Sequence, residues 1–288
     1  MNALLLETHM RKNSFSINLD FFTSHLKDIE ATAQRIKETG FDGILFYLDI
    51  KRLAQNQIGK VHAAMRNNGL VIHQLHSPWP NLGSFNSRER NAAIATCQRW
   101  LDHALAMDAQ TFVIHPGGLE EDCIAAIDKV MEFNIHSLEK IAAGAAGTNL
   151  KIAVENVCAC GKNEKPRRRF GTEPAHLANL MKKLCRRRFG ICLDTSHALS
   201  ARVSAEDFIL QIQDRLITTH LHDTTGHYDE HLLPGGGIIP WQKFLSTLKA
   251  ARYHGPLVLE ISPAIGGNPR EKCALLKQTL KFLKNQSC

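Results

Sequence analysis

The feature that most constrains this chain's fold is a strict alternation. Eight short runs rich in aliphatic and β-branched residues recur along its whole length: Phe15–Leu19, Gly43–Tyr47, Leu70–Leu75, Thr111–His115, Lys151–Glu155, Gly190–Asp194, Ile217–Leu221 and Leu257–Ile261. Between them lie amphipathic stretches with helical periodicity, among them Leu26–Thr39, Ser87–Met107, Asp122–Ala146, Glu173–Leu184, Ala205–Gln213, Trp241–Arg252 and Arg270–Lys284. Thr172 and Ser204 stand where N-caps belong, and Gly40, Gly69 and Gly255 stand just beyond helical patterns. Eight strand–helix units without a linker predict a single (β/α)8 barrel over residues 1–288, with 1–14 as an N-terminal extension. A doubly wound open sheet is the competing arrangement. It would normally carry a phosphate-binding glycine loop, and neither GxGxxG nor GxxxxGK[ST] occurs.

Composition narrows the setting. No apolar run approaches the roughly 18 to 20 residues of a membrane helix. The opening MNALLLETHMRK carries its charges after the apolar part and lacks a small-residue cleavage site, so a cytoplasmic location is expected. The eight cysteines (97, 123, 158, 160, 185, 192, 273 and 288) include no CxxC pair and are expected to be reduced, mostly filling the core. Net charge is +7, from 35 basic and 28 acidic residues, which favours an anionic ligand. The densest basic run is Lys162–Arg169, KNEKPRRR, with a second at 186–188; such runs are more often solvated surface than binding sites.

The strand ends carry the chemistry. They read LHSPW (His76), VIHPGG (His115), AVENV (Glu155), CLDTSHA (Asp194, His197), THLHD (His220, His222) and VLEIS (Glu260). The steps from His76 through His115, Glu155, Asp194 and His220 to Glu260 are 39, 40, 39, 26 and 40 residues, about one strand–helix unit each. In a barrel these ends share one mouth. Taken singly, each histidine is more often a hydrogen-bonded structural group, and each carboxylate a helix cap. Together, carboxylates crowded at one mouth repel one another unless a cation compensates, and a divalent metal with histidine ligands does so most simply. The loop HYDEHLLPGGG adds Asp229 and His231 just beyond the seventh strand, with glycines that let it fold back over the mouth.

LDTSHA, THLHD, DEH…PGGG and the late VLEI resemble the xylose-isomerase-like TIM barrels, a superfamily of sugar-phosphate isomerases and epimerases that also includes endonuclease IV. The resemblance runs from about residue 15 to 284. Its epimerase branch implies one divalent metal, zinc or manganese, on Glu155, Asp194, His220 and Glu260, with the two glutamates as the acid/base pair. Its endonuclease branch implies up to three zinc ions, with His76, His115, His197, Asp229 and His231 as further ligands. HSPWPNLGS is similar to the endonuclease's loop after its third strand, whereas VCACGKNEKPRRRFGTEP after Glu155 is more similar to members described as isomerases or epimerases.

Two functions follow. The favoured one is a metal-dependent isomerase or epimerase of a sugar or sugar phosphate, working by proton transfer through an enediolate. Trp79, His197 and His222 would line the substrate, while Lys162, Lys165 and Arg167–Arg169 would hold a phosphate. The alternative is a zinc-cluster phosphodiesterase acting on abasic DNA or a smaller diester, which the nine-residue ligand set and positive charge favour. The changed loops and the lack of a long basic, aromatic-interleaved surface weigh against nucleic acid. No membrane partner is expected, and homo-oligomerisation stays open.

Overall fold

The computed structural model describes residues 14–23, 26–47, 55–118, 126–159, 167 and 169–286. Lys162 and Lys165, predicted phosphate contacts, lie outside these residues, as do residues 1–13 of the expected extension 1–14 and Cys123, Cys160 and Cys288.

Eight strands form one parallel sheet: β1 (Phe15–Asn18), β2 (Gly43–Phe46), β3 (Val71–His76), β4 (Thr111–Ile114), β5 (Lys151–Glu155), β6 (Phe189–Asp194), β7 (Leu216–His220) and β8 (Leu257–Leu259). Their order is β7-β6-β5-β4-β3-β2-β1-β8. The remaining gap closes where Leu221 N–H donates to the Val258 carbonyl at 2.7 Å and Glu260 N–H donates to the Leu221 carbonyl at 3.2 Å. The sheet therefore curls into the predicted (β/α)8 barrel. Parallel strands are buried on both faces, which is why their sequences read as continuous apolar runs.

The described helices are α1 (Ile29–Thr39), α2 (Gln55–Asn67), α3 (Ser87–Ala106), α4 (Ile127–Ala143), α5 (Pro174–Lys183), α6 (Thr195–Ser200), α7 (Ala205–Ile212), α8 (Trp241–Ala250) and α9 (Pro269–Gln286). Gly40 ends α1 in the left-handed region at φ 105°, satisfying the helix carbonyls as expected of a C-terminal glycine. Ser204 caps α7 by accepting from Asp207 N–H. Thr172 does not cap α5: Glu173 holds that position, and the Thr172 hydroxyl donates to the Arg169 carbonyl instead. Gly255 likewise does not end α8, because Arg252, at φ 54°, takes the left-handed step after that helix. None of the described helices is long and apolar enough to cross a membrane. Of the described cysteines, Cys97, Cys158 and Cys192 are buried thiols, Cys273 is half-buried and Cys185 exposed.

Two asparagines square off the barrel's mouth. Asn18 donates to the Ile261 carbonyl at 2.9 Å and accepts from Ile261 N–H at 2.8 Å, fixing the chain just after Glu260. Asn156 does the same for β6, donating to the Asp194 carbonyl at 3.0 Å and accepting from Asp194 N–H at 2.7 Å. Both bridges satisfy backbone groups that the ending strands would leave unpaired.

Candidate metal and active site

Period-two alternation puts Ala153 and Glu155 on one face of β5, Cys192 and Asp194 on that of β6, and Thr218 and His220 on that of β7. Register then sets the ends: Glu155 pairs with Cys192, two residues short of the end of β6, while Asp194 is level with His220. Beneath this rim Val113, Ala153 and Cys192 fill the barrel with small apolar groups, so that the polar ends sit on a closed floor.

All nine residues expected as ligands converge there. His220 Nδ1 lies 2.8 Å from Glu155 Oε1 and 2.9 Å from Glu260 Oε2. His76 Nε2 is 2.8 Å and His115 Nε2 3.3 Å from Glu155 Oε2. Asp229 Oδ2 faces His197 Nε2 at 3.2 Å and His231 Nε2 at 2.9 Å. Donor atoms within 4.8 Å of one another form the groups His76–His115–Glu155, Glu155–Cys192–His220, Glu155–Asp194–His220–Glu260, Asp194–His197–Asp229 and His222–Asp229–His231.

The electrostatics of the mouth are those of carboxylates in search of cations. Burial by itself would raise Glu155, but the His220 and His115 imidazoles outweigh it and hold the carboxyl well below the usual range. Glu260 and Asp229 are lowered in the same way, against burial, by His220 and by His197 respectively. Against burial, Cys192 and then Glu155 raise His220, and Asp194 and then Asp229 raise His197, both well above the ordinary value; the hydrogen bond to Asp229 raises His231 to about 10. His115 goes the other way: burial pushes it down to about 3. Neither of its ring nitrogens, nor Nδ1 of His222, has a hydrogen-bond partner among the described residues. Unpaired buried imidazole nitrogens are costly in a folded protein, and here His115 Nε2 and His222 Nδ1 face carboxylates, at 3.3 and 3.7 Å. That donor set of imidazole nitrogens and carboxylate oxygens fits a divalent ion such as zinc or manganese.

The other residues singled out in the sequence divide. Trp79 is 40% exposed and stacks on His115, with ring centroids 3.7 Å apart and planes at 27°. His222 has no exposed surface; its Nε2 lies 2.6 Å from Asp194 Oδ2 and its ring stacks on His231 at 4.1 Å. Arg169 is half-buried and Arg167 exposed. Sequence reading missed Gln74, which contacts His220, and Ser196, whose hydroxyl donates to Asp229 at 2.5 Å. Gln74 stands two residues before His76 on β3, so alternation marked it as facing inward.

The xylose isomerase-like TIM barrel family model matches residues 33–286. The chain belongs to that family. An uncharacterised protein of Methanocaldococcus jannaschii is 26% identical over 259 residues, covering 87% of this chain and 86% of the relative. A D-tagatose 3-epimerase-like protein superposes with a TM-score of 0.76 at 23% identity, covering 96% of this chain and all of the other. D-Psicose 3-epimerase from Clostridium cellulolyticum H10, crystallised with D-tagatose, gives 0.74 at 16% identity, covering 95% and 99%. At these identities the two structures speak for the fold.

Proposed function

We propose that this family member is a metal-dependent isomerase or epimerase of a sugar or sugar phosphate. The observation that carries the reading is the pair of glutamates on one imidazole nitrogen, Glu155 at 2.8 Å and Glu260 at 2.9 Å from His220 Nδ1. Glu155, Asp194, His220 and Glu260 would hold the ion. Bound there, a divalent ion supplies a Lewis acid for a substrate carbonyl and its neighbouring hydroxyl, acidifying the C–H between them.

The glutamates do the proton work. Glu260 keeps 17% of its side-chain surface exposed and Glu155 only 1%, so Glu260 is the carboxylate a substrate entering the mouth meets first. It would take the proton next to the carbonyl as an enediolate forms, and Glu155, once it has taken up a proton in exchange with solvent, would return one. Trp79 offers its exposed face to the apolar side of a sugar ring, and Arg169 would meet a phosphate. The resemblance in fold to epimerases, one of them crystallised with D-tagatose, supports a ketose as substrate.

The second reading, a zinc-cluster phosphodiesterase, draws on a specific observation as well: the donor groups beyond the four-residue set, around His76–His115–Glu155 and around Asp229. One experiment separates the two. Metal-loaded protein is incubated in D2O with ketoses and their phosphates, and deuterium at the carbon beside the carbonyl is followed by NMR. Exchange that Glu260→Gln abolishes is the expected result. No exchange, with hydrolysis of bis(4-nitrophenyl) phosphate instead, would overturn the isomerase reading in favour of the phosphodiesterase.

A further inference from the structure

We infer that the end of the barrel opposite the mouth holds a second binding site, one for a small organic anion with an apolar body. A cavity of about 650 Å3 opens there. Val71 and Lys151, the first residues of β3 and β5, stand in its wall, as does Pro256 just ahead of β8. The metal-ligand residues lie at or just beyond the other ends of these same strands. Nothing in this inference depends on the reaction that the mouth performs.

A bulge in β7 separates this cavity from the mouth. Ile191 pairs with Leu216 and Cys192 with Thr218, so Ile217 is an extra residue without a partner on β6. A bulge of this kind re-aims the side chain it carries. Ile217 packs onto the Val113, Ala153 and Cys192 layer that floors the mouth. It takes the space beside Gly190, where a Cβ would stand 2.5 Å from Ile217 Cγ2. It also lines the cavity and is only half-buried. Ile217 is therefore a shared wall, with the floor of the mouth on one side and the cavity on the other.

Polarity and charge say what fits. Leu70, Ile72, Met107 and Leu150 give the cavity an apolar side, and Val71 beside them keeps 38% of its surface exposed. Arg66 and Lys151 are exposed cations in the wall, His62 is half-buried, and Asp108 is the one acid among the described lining residues. Arg66, Lys151 and Asp108 have no side-chain partner among the described residues, so neither cation is neutralised from within. Two permanent cations against one carboxylate leave the wall positive. The volume falls in the range of roughly 300–1,000 Å3 typical of small-molecule sites. An apolar body gains by leaving water for the leucine side, while its carboxylate or phosphate meets Arg66 and Lys151.

The test titrates the whole, metal-loaded chain by calorimetry with α-naphthyl phosphate, α-naphthoate, uncharged α-naphthylmethanol and inorganic phosphate. At least one of the two naphthyl anions is expected to bind more tightly than both the alcohol and inorganic phosphate. The double variant Arg66→Glu, Lys151→Glu should weaken it about 10-fold or more, whereas Glu260→Gln at the mouth should leave it unchanged. Should the double variant fail to fold, Arg66→Gln and Lys151→Gln singly are expected to weaken it about 3-fold each. Affinity that survives these substitutions but is lost in Glu260→Gln would place the anion at the mouth and overturn the site. So would binding of the alcohol or of inorganic phosphate as tight as that of the naphthyl anions, or no binding of either naphthyl anion.

Discussion

The side-chain amide of Gln74 dictates which nitrogen His220 turns towards the carboxylates. Gln74 Nε2 donates to the Thr218 hydroxyl at 2.5 Å and lies 3.3 Å from the Thr219 carbonyl, which can only accept, so its Oε1 is the atom that faces His220. His220 Nε2 stands 3.0 Å from that oxygen and must carry a proton. Nδ1 is thereby presented to Glu155 and Glu260. Gln74→Met, which removes the acceptor, is expected to weaken divalent-ion binding about 10- to 100-fold. Chelator competition measures the affinity, and 15N imidazole shifts report the tautomer. Unchanged values for both would show that the barrel wall alone orients the ring.

Glu260→Gln keeps the side chain's volume and removes its charge and basicity. We expect the variant to melt within a few degrees of the unaltered protein while deuterium exchange into the responsive sugar falls at least about 10²-fold. Thermal melting and NMR exchange rates, measured on the same preparation, check both halves. Exchange at the original rate would leave Glu260 with no chemical role.

Away from the mouth, His73 couples stability to pH. Its Nδ1 shares a hydrogen bond with the Ser16 hydroxyl at 2.5 Å, and burial pushes its pKa down to about 4, with Asp42 opposing only in part. The unfolded chain takes up this proton near pH 6.5, before the folded protein does. The stabilisation is therefore complete above about 6.5 and is lost as pH falls from there towards 4. The interval corresponds to up to about 3 kcal/mol. Urea midpoints recorded across it should fall more steeply for the unaltered protein than for His73→Gln; parallel curves would show that His73 does not contribute.

Asp223 anchors the loop that carries Asp229 and His231. Its carboxylate accepts from Thr224 N–H at 3.0 Å, Ile239 N–H at 3.1 Å, Gly235 N–H at 2.9 Å and the Trp241 indole at 2.8 Å. The backbone packs so closely that a Cβ on Gly237 would stand 2.2 Å from the Thr224 carbonyl, which explains one of the three consecutive glycines. Asp223→Ala orphans four donors and should cost about 3 kcal/mol or more. It should also reduce the ions bound per chain, because the Asp229 loop loses its tether. Urea unfolding and elemental analysis test the two effects, and a variant as stable as the parent would remove Asp223 from this role.

How far the sequence carried this protein depends on the range of the physics involved. Alternation of apolar runs with amphipathic stretches is local, so the eight-stranded barrel was written into it. The ligand-type residues were legible for the same reason: His76, Glu155, Asp194 and His220 end their strands, while His115 and Glu260 stand one position beyond, and parallel strands in one barrel bring such positions together. Short α6, capped by Asp194 accepting from His197 N–H, was not, because six residues are too few to show a helical period. Nor was the burial of His222, since THLHD reads the same whether the second histidine lines a cleft or lies beneath it. The bridges of Asn18 to Ile261 and of Gln74 to Thr218 join residues 243 and 144 positions apart. Pairings at that separation exist only once the barrel has closed. The sequence thus determined which side chains gather at the mouth. Only the tertiary structure decided which nitrogen His197 and His220 point inward, because that is set by hydrogen bonds to Asn156 and Gln74, far away in sequence.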